Sequence, residues 1–531
     1  MFLRNSENKI LKLGINVVVN KGKKNFSREI HDRAPPNGVN VQRIQSVDFV
    51  RMALENVKIE KLDDWEKLKQ SILNHELNRM PNLVNHYNVD ARIMGTISIL
   101  QRLDLSRSYL KYLESQNIRP NLATLGKYLK FLYESIKQKA SKSEETEILS
   151  ICDNLRKTYP VLDSISLESI VLALSVTSRW KECIDIMTEI KKTTRISTPV
   201  YTAVASAAFL NKENELAWEI INDALSENKL PQSGAYISFL KRVKLLRKQE
   251  NIHKQLETMF KFLGDSAVNC QEEVVDHLIG NFHIGSKTKV TFSGKCQACG
   301  SSLDRLELTD EEFVNLKTAF FNNVLIGKDI FVKTNPDEMK KFQEFAAKMT
   351  KYDVVLDGLN IAYSTGLNKG SQVFSNILCS VISHFANQNK SILMLGRVHM
   401  TNWPRNNWNY IKENADIFLT QNISEDDPYL LYCALNSGKD TIIVTRDLMR
   451  SHTFLLKERK YKIMFKKWLD QRQWFLLTCN NQRTPIFRKP PHFTQVAQKN
   501  GEFWHVPYDP KDEGKNNKYH RTWCCVNMAG S

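Results

Sequence analysis

From about residue 88 to 265, apolar positions recur at helical spacing in paired runs, and the pairs themselves repeat. SLESIVLALSVTSRWKECIDIMTEIKK begins near Ser166, VYTAVASAAFLNKENELAWEIINDALSENKLP at Val200 and AYISFLKRVKLLRKQENIHKQLETMFKFL at Ala235. Leu167, Tyr201 and Tyr236 hold equivalent places, about 35 residues apart. Each unit reads as a helix, a short polar turn and a second helix. Units of this length bury their apolar faces only by stacking, which predicts an α-solenoid. An earlier unit, NLATLGKYLKFLYESI, is displaced from its partner by the polar insertion KQKASKSEETE.

The texture then changes. KVTFSGKCQACGSSLDRLEL alternates like two short strands around a turn, and a helical stretch follows from about Thr309 to Lys351. Beyond it, YDVVLDG, SILMLGR, ADIFLT, TIIVTRD and WFLLTC are short apolar runs that each end in polar or charged residues. Helical segments such as SQVFSNILCSVISHFANQ and DPYLLYCALNSG separate them, the signature of a parallel α/β sheet. Past about Pro490 the chain reads as irregular and aromatic, and residues 1–85 lack a sustained period.

The formal charge of +17 adds a polyanionic partner to this picture, since cations that neutralise phosphates release condensed counterions. No stretch is long and apolar enough to span a bilayer. Cys152, Cys183, Cys379 and Cys433 sit singly in apolar helical contexts and read as small buried hydrophobes. Cys296 with Cys299, and the adjacent Cys524 and Cys525, stand apart, which fits a reducing compartment with one metal site. The basic, apolar-interspersed opening, MFLRNSENKILKLGINVVVNKGKKNFSREI, resembles a mitochondrial transit peptide.

Four aspartates carry the chemistry. Asp357 directly follows the run DVVL, Asp426 and Asp427 open a helix just after DIFLT, and Asp447 follows TIIVT with only Arg446 between. Ligands of open parallel sheets bind outside the carboxyl ends of the strands, so all four should meet at one edge. Converging carboxylates repel one another unless hard divalent cations relieve them, and such a site hydrolyses phosphodiesters with two metal ions. Asn360, in the DGLN turn, is a candidate orienter. Any one of these aspartates could be a helix cap instead; four at one edge favour the site. No G-x-G-x-x-G follows any strand, which disfavours a dinucleotide-binding dehydrogenase. Cys296 and Cys299 form a C-x-x-C knuckle suited to zinc, and the tail offers His505 and a cysteine of TWCC to complete it.

DVVLDGLN, SEDDPYLLYCAL, VTRDLMRSH and FWHVPYD together resemble the metallonuclease domain of protein-only ribonuclease P, a NYN-type nuclease in the PIN-like class. The likeness is greatest to the animal mitochondrial catalytic subunits and runs over about residues 90 to 531. The resemblance implies three parts: a pentatricopeptide-repeat α-solenoid, a small zinc-binding central domain and an NYN/PIN-like α/β metallonuclease. Their expected bounds are 86–270 for the repeats, 271–350 plus 490–531 for the zinc-binding domain and 351–489 for the nuclease, after a leader over 1–85.

Asp357, Asp426, Asp427 and Asp447 fall on the family's Mg²⁺ (or Mn²⁺) carboxylates, a site for two ions. One structural Zn²⁺ is implied at Cys296, Cys299, His505 and Cys525; the family's Trp-x-Cys pattern prefers Cys525 to Cys524. The implied activity is removal of 5′ leaders from precursor tRNA in the mitochondrial matrix, with a tRNA methyltransferase and a short-chain dehydrogenase subcomplex as partners. The competing expectations are a PIN-like endonuclease with another RNA target, a noncatalytic pentatricopeptide RNA-binding protein and a protein-binding scaffold.

Overall fold

The computed structural model describes residues 49–531 apart from 56, 58, 80–83, 137, 323–335, 367, 422–426, 448, 450–455, 457, 481–483, 512–521 and 529–531. The expected transit peptide and Asp426 thus lie outside the described residues. The chain divides into two compact units, Met1–Phe239 and Leu240–Ser531.

The first unit is a run of antiparallel helical hairpins: Val89–Ile99 with Leu103–Ser115, Leu122–Ser135 with Lys142–Thr158, Ser164–Leu174 with Glu182–Lys191, and Thr198–Leu210 with Asn214–Ser226. Leu167, Tyr201 and Tyr236 are buried, as the repeat requires. Polar residues start the helices. Asn121 accepts from the amide of Thr124, and Asp163 from those of Ile165 and Ser166. Residues at positive φ stop them: Gln101, Asn117, Lys212 and Asn228 each take the left-handed conformation just past a helix end.

Cross-hairpin ion pairs recur along the second helices, with Arg107–Glu147 and Arg156–Glu189 both at 2.9 Å, and Lys191 pairing with Asp223. Half-exposed pairs of this kind contribute little stability singly, and their use is to fix the stacking register.

One sequence expectation changes here. Much of the KQKASKSEETE insertion is helix: Ser141 and Glu144 form a capping box that starts Lys142–Thr158. The polar stretch around Trp65, within residues 1–85, is the helix Asp63–Arg79, which packs with the repeats. Its Trp65 is fully buried, lies 4.8 Å from the Tyr109 ring and donates to Ser108.

The second unit contains eleven strands among its described residues. They are β1 (Cys270–Gln271), β2 (Gly285–Lys289), β3 (Val354–Asp357), β4 (Ile392–Arg397), β5 (Asp416–Thr420) and β6 (Ile442–Val444). After them come β7 (Gln473–Cys479), β8 (Pro485–Arg488), β9 (Gln498–Asn500), β10 (Phe503–Asp509) and β11 (Thr522–Asn527).

The larger sheet has the order β5-β4-β3-β6-β7-β8, parallel except for the antiparallel edge strand β8. Its five parallel strands are the five apolar runs of the sequence. Alternate residues feed opposite cores. Val354, Leu356 and Met394 pack with the helix Ser371–Ala386 on one face, while Val355, Leu393 and Leu395 pack with Asp427–Ser437 and Arg459–Arg472 on the other.

The smaller sheet has the order β1-β10-β11-β2, with β9 also on β10. The tail past Pro490, expected to be irregular, supplies three of these strands. Both faces of this sheet are buried along β10: Trp504, Val506 and Tyr508 line one, while Trp523 of β11, opposite Pro507, lies on the other with His505 and Cys525.

Replacing Ser141 with Ala removes one side of the capping box. Amide exchange across Lys142–Thr158 should accelerate by roughly fivefold, equivalent to about 1 kcal/mol, as read by hydrogen–deuterium exchange.

Candidate metal centres

In the larger sheet the chain runs from β3 outward to β4 and β5, then returns to place β6 on the other flank of β3. This is a topological switch point, where a crevice opens between neighbouring strand ends. Asp357 ends β3, and Thr445 and Asp447 follow the end of β6. Thr445 Oγ1 donates to Asp357 Oδ2 at 2.8 Å across the crevice, and the amide of Asn360 donates to Asp357 Oδ1 at 3.0 Å. Asn360 Oδ1 accepts from the amide of Arg446 at 2.9 Å, so the DGLN turn and the exit of β6 are tied in both directions. Asp357 is nearly buried whereas Asp447 is exposed, with its Oδ1 accepting from the amide of Met449.

The helix Asp427–Ser437 begins after β5 and packs against β3, so its start lies at the strand-exit edge. The structure therefore brings Asp357 and Asp447 to neighbouring strand ends and the backbone of Asp427 to the same edge. A carboxylate set on adjacent strand exits fits hard divalent cations by its donor chemistry.

Sequence reasoning missed three supporting residues. Buried Gln473 donates from Nε2 to the carbonyls of Thr445 and Asp447 and fixes the path out of β6. Thr445 itself is fully buried. Glu338, on Pro336–Lys348, is buried and accepts from the amide of Gln421 at 2.7 Å, which fixes the exit of β5. In the sequence these are an ordinary Gln, Thr and Glu; only the position of Thr445 between Asp447 and the apolar run gave any signal.

The second centre is in the smaller sheet. His505 on β10 and Cys525 on β11 are directly paired across the ladder. Cys296 and Cys299 lie on a tight loop after β2, where the amide of Gly300 donates to the Cys296 carbonyl at 3.0 Å and Gly300 takes a φ of 77°. The donor atoms of Cys296, Cys299, His505 and Cys525 all lie within 4.8 Å of one another. Three sulfurs and one imidazole nitrogen, largely buried among Val290, Leu303, Phe493 and Trp523, fit a closed structural zinc site.

Burial holds His505 below its ordinary pKa, which keeps the imidazole neutral, the form that ligates. Burial pushes the Cys525 thiol well above its usual range. Burial also raises Cys299, but hydrogen bonds with Ser301, Cys296 and Cys525 together outweigh it and the net shift is downward. Cys524 belongs elsewhere. Successive residues of a strand face opposite sides, and a Cβ on Gly285 would lie 3.2 Å from the Cys524 sulfur, on the face away from the cluster.

A parallel sheet with carboxylates at its switch point, beside a thiol–imidazole cluster and in one chain with helical-hairpin repeats, is the architecture of a repeat-bearing metallonuclease. Residues 290–525 match the family Protein-only RNase P. The chain is 27% identical over 417 residues to the mitochondrial ribonuclease P catalytic subunit of Mus musculus, covering 77% of this chain and 70% of that one. It is 28% identical over 268 residues to Proteinaceous RNase P 3 of Arabidopsis thaliana, covering 47% of this chain and 43% of that protein. The crystal structure of nuclear proteinaceous RNase P 2 from Arabidopsis thaliana covers 83% of this chain and 99% of its own, with a TM-score of 0.57 at 15% identity, a likeness of fold. Residues 290–525 are those of a protein-only ribonuclease P, which makes this an endoribonuclease.

Three substitutions test the centres. Cys525→Ser should release zinc from the purified chain while Cys524→Ser retains it, as read by elemental analysis. Gly358→Ala would place a Cβ 2.8 Å from the Leu395 carbonyl and 2.6 Å from the Met394 sulfur. Displacing the turn that follows Asp357 should lower stability by about 1–3 kcal/mol in chemical denaturation and depress RNA cleavage further.

Proposed function

We propose that this chain is the catalytic subunit of a mitochondrial ribonuclease P, acting in the matrix to remove 5′ leaders from precursor tRNAs. The observation that carries the reading is the pairing of Asp357 and Asp447 at adjacent strand exits, joined through Thr445. The mitochondrial assignment is supported by the mouse relative and by the rat mitochondrial ribonuclease P catalytic subunit, which is also 27% identical over 417 residues. That both are named as subunits supports partners, for which we retain a tRNA methyltransferase and a short-chain dehydrogenase subcomplex. In this reading residues 86–270 bind RNA, 271–350 with 490–531 form the zinc-binding domain, 351–489 form the nuclease and 1–85 contain the leader.

Asp357, Asp426, Asp427 and Asp447 would hold two Mg²⁺ or Mn²⁺ ions. Ions bound there supply an activated water and neutralise charge on the in-line phosphodiester oxygens. The protein's own work is to orient. Thr445 and the Asn360 amide leave Asp357 no freedom to rotate, and Gln473 holds the backbone on which Asp447 sits. Cys296, Cys299, His505 and Cys525 would bind one Zn²⁺ that staples the tail to the sheet and takes no part in cleavage.

The test is 5′-end mapping on a mitochondrial precursor tRNA with Mg²⁺, with and without the partner subcomplex. The expected result is a Mg²⁺-dependent cut at the mature 5′ end leaving a 5′-phosphate. Asp427→Asn should slow it by more than the roughly 100-fold typical of the strongest outer-shell losses, with RNA binding retained. Intact RNA binding without any cut would instead favour another RNA target or a noncatalytic binder.

A further inference from the structure

On the outer side of the helix Ser371–Ala386, against the helix Arg405–Asn414 and the turn into β8, lies an open depression of about 820 Å³. It is not part of the carboxylate crevice. Its floor is a polar stripe on one helix face: Asn376, Ser380, Ser383 and Asn387 follow one another at spacings of three and four residues. Asn406, Asn407 and Tyr410 form one wall.

None of its twelve described lining residues is charged, in a chain where 25% of residues are. A merely solvated helix face carries Lys and Glu; this one carries amides and hydroxyls. The amides are already set. Asn407 Nδ2 donates to Ser375 Oγ at 2.7 Å and to Asn376 Oδ1 at 2.8 Å, which fixes the wall to the floor. His384 also lines the depression, with its buried Nε2 lacking a hydrogen-bond partner among the described residues.

Fixed neutral amides beside Tyr and His rings are the chemistry that reads unpaired bases, through hydrogen bonds to base edges and stacking on rings. Placement narrows the choice of strand. The helix Ser371–Ala386 carries the chain from the exit of β3 back to the entry of β4, so Asn376 lies toward the edge that bears Asp357. Asn406 and Asn407 open the helix after β4 at that same edge. From Asn376 to Asn387 the stripe runs about 16 Å away from the edge, at 1.5 Å per residue. We propose that this groove binds bases of the single-stranded 5′ leader upstream of the cleaved bond, an inference that rests on the leader-removal reading above. None of the described lining residues is Lys, Arg, Asp or Glu, so directional hydrogen bonds and ring stacking, rather than phosphate contacts, carry the contribution of this lining.

The experiment compares the full chain with Asn406→Asp, with its partner subcomplex present. Asn406 is exposed in the first turn of its helix, where an added carboxylate suits the helix dipole, so the fold tolerates the change while the groove becomes repulsive to RNA. Cleavage is measured on one precursor tRNA bearing either a single-nucleotide leader or a longer one, at two salt concentrations. Binding of a short single-stranded oligoribonucleotide of leader sequence, and of its abasic counterpart, is measured in parallel. The expected result is a fall of about tenfold in the ratio of long-leader to short-leader kcat/KM, the size of one lost base contact, lessened at the higher salt concentration that screens the new carboxylate.

Asn387→Ala, at the far end of the stripe, should lower the same ratio less. The oligoribonucleotide should bind wild type more tightly than the variant does, and more tightly than the abasic strand binds. Equal losses on both leaders, or no loss on either, would overturn the groove. Oligoribonucleotide binding that depends on the bases and is weakened by Asn406→Asp, without precursor cleavage, would uphold it and overturn the leader-removal reading instead.

Discussion

The adjacency of β3 and β6 is the constraint on which the chemistry of the chain depends. The residues it joins are 88 positions apart in sequence, and nothing local brings them together. Parallel strands require long crossovers, and each crossover here is a helix that covers one face of the sheet. Once β4 and β5 have been laid on one side of β3, the next strand has its open flank to occupy, and the crevice between the two exits follows. Thr445 converts that adjacency into a fixed orientation, because a buried hydroxyl must find a partner and Asp357 is the partner within reach. The carboxylate pays for its own burial with the two hydrogen bonds that aim it.

The parts of this arrangement that were legible in the sequence are those written into short stretches. Five apolar runs, each closed by polar residues, mark parallel strands because buried strands need apolar residues on both faces. An aspartate at the close of such a run is then placed at the ligand-binding edge by geometry alone. Strand order was not legible, since Val354, Ile392 and Ile442 are interchangeable in type and nothing in them names a neighbour. The tail strands were hidden differently. Pro507 within FWHVPYD reads as a break, yet it sits inside β10 opposite Trp523. Glu338 and Gln473 were illegible because a buried polar residue looks like an exposed one until its partner is known.

The thiol–imidazole cluster shows how strand parity resolves what spacing leaves open. Two adjacent cysteines on β11 cannot both face the same side, so register alone decides between them. His505 lies opposite Cys525 in the ladder, and the loop carrying Cys296 and Cys299 approaches from that side. Cys524 is left among the buried residues of the other face, where its thiol is pushed up to about 12 by burial and behaves as a small apolar side chain. The cluster joins segments 206 residues apart, Cys299 to His505, with the whole larger sheet inserted between them. A metal-bound cluster would therefore close the loop that contains that sheet, removing entropy from its unfolded state much as a long-range covalent link does.

Charge is distributed in a way that separates affinity from reading. The net surplus of +17 attracts any polyanion, and attraction of that kind cannot tell one RNA from another. Along the repeats much of the charge is neutralised internally, with Arg107, Arg156 and Lys191 each answered by an acid of the next hairpin. Discrimination needs groups whose hydrogen bonds are directional and whose partners are base edges. In the second unit such groups are gathered in a depression whose described lining holds no Lys, Arg, Asp or Glu, with Asn407 already holding Ser375 and Asn376 in place. A site that is preorganised and neutral gains nothing from a wrong strand that merely carries phosphates. It gains only where donors and acceptors match, and that is the property an enzyme needs beside a cleavage edge that every phosphodiester could satisfy.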